Sequence, residues 1–277
     1  MSVPVVVAVA ADLHAGSTVA LCPERVDLDD AGVYLASKAQ RWLLRCWHDA
    51  WQHVAGIVEE RGARLYAVIN GDLTEGIHHG GEQLVTSNTT YQQNIAIQIL
   101  EPVARAADRL FIVRGSSAHA GGAGRLEEKV AQDLGAVKDD VLGTHSWWHL
   151  PLIAQGVRID IQHHPVTSGR RPWTEQAAAA REASIIASRY TASDSKVPAV
   201  AIRSHVHYFA DSGIGCRPRT FFTRPWKLTD AYGHRLGTGR SVVPPGLLVL
   251  VCHNGQVVAV EDKRYKPRER RAWAEKQ

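Results

Sequence analysis

Five short polar clusters in this 277-residue chain each close an apolar run: Asp12-Leu13-His14, Gly71-Asp72, Ser116-Ser117-Ala118-His119, His163-His164-Pro165 and Ser204-His205-Val206-His207. Carboxylates and imidazoles are ligands suited to Mn, Fe, Zn or Co. Asp12 and His14 are two residues apart, so on an extended chain they point the same way. One such pair is common by chance. A series of them at successive run ends is not, and the total of 14 histidines is high for this length. The chemistry these residue types support is the binding of divalent metal.

The runs before the clusters predict the elements that carry them. Val5–Ala10 reads as a buried strand. Residues 16–34 read as an irregular loop with an acidic Asp27, Asp29, Asp30 group. A helix is predicted over 37–61, where Trp42, Leu43, Cys46, Trp47, Trp51 and Val54 recur at helical spacing and Gly62 supplies the stop. Leu65–Asn70 is the second strand, 90–107 a helix, Leu110–Val113 the third strand and 126–134 a helix. This alternation predicts an α/β fold with ligands gathered at the carboxyl ends of strands, which lie about 4.8 Å apart in a sheet. Beyond residue 146 the pattern turns to strands. Trp147–Ile153 and Val157–Gln162 are joined at Gln155-Gly156, and an alanine-rich helix covers 175–192. Val197–Arg203 follows, then Thr220–Phe222, and a closing pair, Gly246–Cys252 and Val257–Val260, turns at Asn254-Gly255.

Composition narrows the function classes. An apolar fraction of 45% and a charged fraction of 22% are those of an ordinary globular protein. The net charge of +4 does not by itself argue for nucleic acid. Cys22, Cys46, Cys216 and Cys252 form no Cys-x-x-Cys pair, which disfavours a zinc knuckle or a disulfide framework and suits free thiols in a reducing cytosol. The first residues lack the basic segment of a signal peptide, and no apolar run nears the roughly 18 residues of a membrane span. The expectation is a cytoplasmic protein of one domain over 1–262, with a basic tail over 263–277.

In order and spacing the clusters resemble the calcineurin-like metallophosphoesterases, whose motifs run Asp-x-His, Gly-Asp, Gly-Asn-His, His and Gly-His-x-His at strand ends. The resemblance covers roughly residues 5 to 210. It implies a four-layer α-β-β-α sandwich of two mixed sheets and two divalent metals, manganese first, with iron, zinc, cobalt or magnesium as the others. Carried over by position, Asp12, His14 and His207 would hold one metal, Asp72 would bridge, and His163 and His205 would hold the second, with His164 as the alternative to His163. The chain departs from the pattern at the third motif, where Gly115-Ser116-Ser117-Ala118-His119 replaces Gly-Asn-His. Ser116 would take the place of the Asn as a weaker ligand. His119 would be the leaving-group acid or a ligand. Ser204 stands where the family has Gly. The altered third motif and Gly121-Gly122-Ala123-Gly124 are similar to those of phage-type members.

The implied activity is metal-dependent hydrolysis of a phosphomonoester or phosphodiester, on a phosphorylated small molecule or a phosphoprotein. Two alternatives remain at this level: a nuclease, with Arg170, Arg171 and the tail as its basic groove, and a non-catalytic binding protein. Arg114 and Arg203 are candidates for contact with substrate or transition state. His78 and His79 are candidates for the cleft. His145 and His149 suit a packed strand edge, and His234 and His253 the surface. Trp173 and Trp226 are candidates for a substrate rim.

Overall fold

The computed structural model describes residues 2–77, 83–169, 172–235 and 243–268. His78, His79, Arg170 and Arg171, and the tail from 269 onward, lie outside the described residues. The strands are β1 (Val5–Ala10), β2 (Arg25–Asp27), β3 (Val33–Leu35), β4 (Arg64–Asn70), β5 (Arg109–Val113), β6 (Ser146–Trp147), β7 (Leu150–Ala154), β8 (Val157–Ile161), β9 (Val200–Arg203), β10 (Ala210–Asp211), β11 (Arg219–Phe222), β12 (Gly246–His253) and β13 (Gln256–Arg264). The helices are α1 (Lys38–Arg61), α2 (Thr89–Ala106), α3 (Ser117–Ala120), α4 (Arg125–Asp133), α5 (Glu175–Ala192) and α6 (Ala231–Arg235).

Two mixed sheets organise the chain, one in the order β13-β12-β1-β4-β5-β6 and one in the order β10-β11-β9-β8-β7. Strand β1 is parallel to β4 and antiparallel to β12, and β8, β9 and β11 run parallel to one another. Side chains alternate across the first sheet as the strand period requires. Val6, Ala8, Ala10, Ile69, Val249 and Val251 share a core with Leu43, Trp47, Ile95 and Leu100 from α1 and α2. Val5, Val7, Val9, Val68, Leu248 and Leu250 share a second core with Ile159, Ile161, Val200 and Ile202 of the other sheet. Burial on both faces is why these strands read as unbroken apolar runs rather than as alternating ones. Against the far side of the second sheet, Ala178 and Ala179 of α5 pack with Phe222.

Helix α1 starts at a capping box, in which the Ser37 side chain accepts from the Gln40 N–H and Gln40 accepts from the Ser37 N–H. It ends at Gly62, whose φ of 54° is the left-handed conformation that glycine adopts without a Cβ penalty.

Four sequence expectations need correction. The stretch 147–153 is not one strand. Ser146–Trp147 pairs with β5 in the first sheet, the chain crosses at Trp148-His149, and Leu150 opens β7 in the second. The acidic loop contains the β2–β3 hairpin. The strand expected from Val197 starts at Val200. The last strand runs on to Arg264, so the expected boundary at 262 falls inside β13, and the Tyr265 hydroxyl donates to Asp49 Oδ2 on α1 at 2.5 Å. Among the described residues no helix is long and apolar enough to cross a membrane.

Candidate metal centre

The five clusters converge. The chain leaving β1 runs beside the chain leaving β4: the Asp12 N–H donates to the Gly71 carbonyl at 3.0 Å and the His14 N–H to the Asp72 carbonyl at 2.9 Å. The Ser204 N–H donates to the His163 carbonyl at 2.8 Å, which ties the ends of β8 and β9. Asn70 joins the two sheets at this end, its Nδ2 donating to Ser204 Oγ at 2.6 Å and to the Gln162 carbonyl at 3.1 Å. Two glycines permit the close approach. A Cβ on Gly71 would meet the His163 ring, and one on Gly115 would meet Asp72.

The backbone here is strained. Asp12, His14, Asp72, His205 and His207 all have positive φ, between 48° and 68°. Asp and His tolerate this region better than most residues, but each still costs about 1–3 kcal/mol and persists only where the surroundings enforce it. Strain that falls on the ligand candidates of three different loop segments marks a built site.

Four overlapping donor groups result, each with its ligand atoms within 4.8 Å of one another: Asp12, His14 and His207; His14, Asp72 and His119; Asp12, Asp72 and His163; and His163, His164 and His205. Asp72 belongs to two of them. His207 Nε2 lies 3.2 Å from Asp12 Oδ1 and 3.2 Å from His14 Nε2. His163 Nε2 lies 3.1 Å from Asp72 Oδ2 and 3.9 Å from Asp12 Oδ1, and His205 Nδ1 lies 3.8 Å from Asp72 Oδ2. The floor is closed and the rim is open: the Asp12 and His163 side chains have no exposure, against 33% for His207 and 43% for His205.

Three imidazoles are fixed by their Nδ1 atoms. His163 Nδ1 is 2.6 Å from the Asn70 carbonyl, His119 Nδ1 is 2.6 Å from the Glu75 carbonyl, and His14 Nδ1 is 2.9 Å from Glu75 Oε2. Anchoring one ring nitrogen on a carbonyl or carboxylate sets the tautomer and aims the other, as in protein metal sites. Glu75 is itself held by the buried Lys227 ammonium at 2.8 and 3.1 Å, and Lys227 also pairs with Asp230 at 3.0 Å.

The electrostatics are compatible with a cation. Burial pushes the Asp12 and Asp72 carboxyls up, but neighbouring imidazoles, His207 for Asp12 and His163 for Asp72, outweigh it and hold both below the ordinary range. Burial alone would strip the His163 proton; Asp72 and Asp12 instead raise this group to about 10. The proton so retained compensates two buried carboxylates where a metal ion would do the same. Burial and Lys227 push His14 down to about 3, and burial with His163 pushes His164 down to about 4, so both present the neutral ring that metals bind. Asp12 Oδ1 and His163 Nε2 are buried and make no well-aligned hydrogen bond; each faces an ion-pair partner within the cluster, His207 Nε2 at 3.2 Å and Asp72 Oδ2 at 3.1 Å respectively. Buried polar atoms left without a well-aligned hydrogen bond are rare in folded proteins and suit a role as metal ligands.

Other expected site residues are placed differently. The Ser116 N–H and Oγ both donate to Asp72 Oδ1, at 2.7 and 3.1 Å. Arg114 is engaged away from the cluster: Nε donates to Ser146 Oγ at 2.7 Å, a terminal nitrogen lies 3.4 Å from Glu128, and the guanidinium stacks on Trp148. Arg203 lies in a buried ion pair with Asp160 and Glu182. Trp226 is not a rim residue; it is fully buried against Trp47 at 4.9 Å between ring centroids, whereas Trp173 is 75% exposed. His145 bonds the Ala136 carbonyl and His149 bonds Asp160, both at 2.8 Å.

Sequence reasoning missed Glu75, Lys227 and Glu127. Glu127 is wholly buried on α4, its Oε1 accepting from the Leu73 N–H at 3.1 Å and its Oε2 from the Gly115 N–H at 2.6 Å. It thereby clamps the loop after β4 to the loop after β5, and burial beside Asp72 raises its carboxyl to about 7. Glu75 was visible as the acid three residues after Asp72. Nothing local marks Lys227, which arrives from the chain beyond β11.

Comparison with protein-family models and with curated protein sequences gives no match for this chain.

Proposed function

We propose that this protein is a metal-dependent phosphoester hydrolase built as a four-layer α-β-β-α sandwich of the metallophosphoesterase kind. The observation that carries the proposal is the donor arrangement around Asp72. A buried carboxylate shared by two His/Asp groups, at the carboxyl ends of strands from two sheets, suits a pair of divalent ions. Asp12, His14 and His207 would hold one ion and His163 and His205 the other, with Asp72 between them. Ions of the manganese, iron, zinc or cobalt type supply Lewis acidity toward phosphoryl oxygens and toward water.

The chain's own groups supply the rest. Asp12 and Asp72 set the charge of the floor. Glu75 fixes the His14 and His119 rings, through its carboxylate and its carbonyl respectively. With Nδ1 on that carbonyl, His119 Nε2 is the atom that can carry a proton to the leaving oxygen, and the ring sits 4.4 Å from His14, centroid to centroid. No serine or cysteine nucleophile is needed. The open rim at His205 and His207 admits the phosphoryl group of a phosphorylated small molecule or a phosphoprotein.

The test is elemental analysis of the purified protein, with p-nitrophenyl phosphate and bis-p-nitrophenyl phosphate assayed in added manganese. Two ions per chain and turnover that Asp72→Asn abolishes are expected, and the preferred ester separates monoesterase from diesterase. No bound ion and no turnover in manganese would sink the proposal and leave a binding protein.

A further inference from the structure

His163 and His164 are neighbours in sequence, and strand alternation would send only one of them into the cleft. Strand β8 ends at Ile161, however, and the two residues sit in a bend. Their rings lie 4.9 Å apart at 81°, and the His164 ring lies 4.2 Å from that of His205, centroid to centroid. One ring nitrogen from each of the three falls within 4.8 Å of the others. Ligand atoms around a tetrahedral ion with bonds of about 2.0–2.1 Å stand roughly 3.4 Å apart, so small ring rotations close the set. A second observation points into the same place: His163 Nε2 is fully buried, makes no well-aligned hydrogen bond and faces its ion-pair partner Asp72 Oδ2 at 3.1 Å.

The third cluster explains why an extra imidazole is needed. Ser116, expected as a weaker ligand in place of the Asn of the motif it resembles, turns both its N–H and its hydroxyl onto Asp72 Oδ1. Used in this way it buttresses a ligand and leaves the second donor set one member short. His164 stands on the open side of that set, exposed like His205.

We infer that His163, His164 and His205 form a three-imidazole site, joined to the first donor set by Asp72, that takes a zinc-, cobalt- or iron-type ion in preference to magnesium or manganese. The preference follows from ligand chemistry, because imidazole nitrogens favour the former ions, whereas carboxylate and water oxygens suit magnesium and manganese. The inference rests on the two-ion reading above and adds to it a ligand and a selectivity.

Cobalt(II) titration of chelator-stripped protein tests it without recourse to activity, read by visible d–d absorption and by calorimetry. Wild type should take up two equivalents, one of which excess magnesium or manganese does not displace. His164→Ala and His164→Gln should weaken that equivalent by at least the 10–100-fold that loss of a mere outer-sphere partner causes, and should change its spectrum. His14→Ala should weaken the other equivalent and spare this one. Both His164 variants sit at an exposed position, and unchanged circular dichroism checks their folding. Two unaltered equivalents and an unaltered spectrum in both would overturn the role of His164 while leaving the two-ion reading intact. Wild-type protein that binds no cobalt would overturn both.

Discussion

Replacing Arg203 by Met separates a structural arginine from a catalytic one. Arg203 directly precedes the Ser204-His205-Val206-His207 cluster, a placement that suggests contact with the transition state. In the fold its side chain is 3% exposed and points the other way, with a terminal nitrogen 2.7 Å from Asp160 Oδ1 and Nε 3.1 Å from Glu182 Oε1. Both carboxylates are buried, at 4% and 0% exposure. Removing the cation leaves two uncompensated acids in the interior, and breaking a buried pair in this way costs about 3–5 kcal/mol. His149 and Tyr190 still reach Asp160 Oδ2, at 2.8 and 2.7 Å, and pull the loss toward the lower end of that range.

The pH dependence has a definite sign. Burial raises the Asp160 carboxyl, but His149 and Arg203 outweigh it, and the net shift is downward from 3.8. Its stabilising contribution is therefore complete above the unfolded value and is lost as pH falls through the lower folded one. The gap between wild type and Arg203→Met should be full at pH 7 and should narrow below about pH 4. Urea unfolding followed by tryptophan fluorescence, with chelator present so that bound metal does not contribute, measures both ends. The folded variant should still bind metal, because Arg203 does not touch the cluster. A loss below about 1 kcal/mol at pH 7, or full stability together with abolished turnover, would refute the structural role and return Arg203 to the chemistry.

Two further outcomes follow from the same geometry. Glu75→Gln removes the charge that faces His14 Nδ1 and leaves Lys227 with a weaker partner, so cobalt affinity at the Asp12, His14 and His207 set should fall about 10–100-fold, as calorimetry would register. His119→Ala should depress turnover more for alkyl phosphates than for p-nitrophenyl esters, whose leaving group needs no proton; equal losses on both would make His119 a ligand instead.

The central strands, the long helices and the nearness of Asp12, His14, Asp72, His163, His205 and His207 were legible in the sequence; the β2–β3 hairpin and the short elements β10, α3 and α6 were not. A strand buried on both faces must be apolar throughout, and the polar residues that follow it stand out by contrast. The limits of α1 could be read as well, because the Ser37 cap and Gly62 act through local backbone chemistry. What depends on contacts between distant segments could not be read. Glu127 reaches across from α4 to clamp two loops, and Lys227 reaches Glu75 from 152 residues away. Arg114 and Arg203 adjoin site motifs in sequence, yet their side chains leave on the opposite side, toward Glu128 and toward Asp160 and Glu182. The break at Trp148-His149, which moves the chain from one sheet to the other, depends on which edge each segment can pair with. Sequence alone offered the residues that could bind metal, through their types and their resemblance to a known series of motifs. Only the tertiary structure decided which side-chain atoms face one another in the cluster, because orientation is set by partners far along the chain.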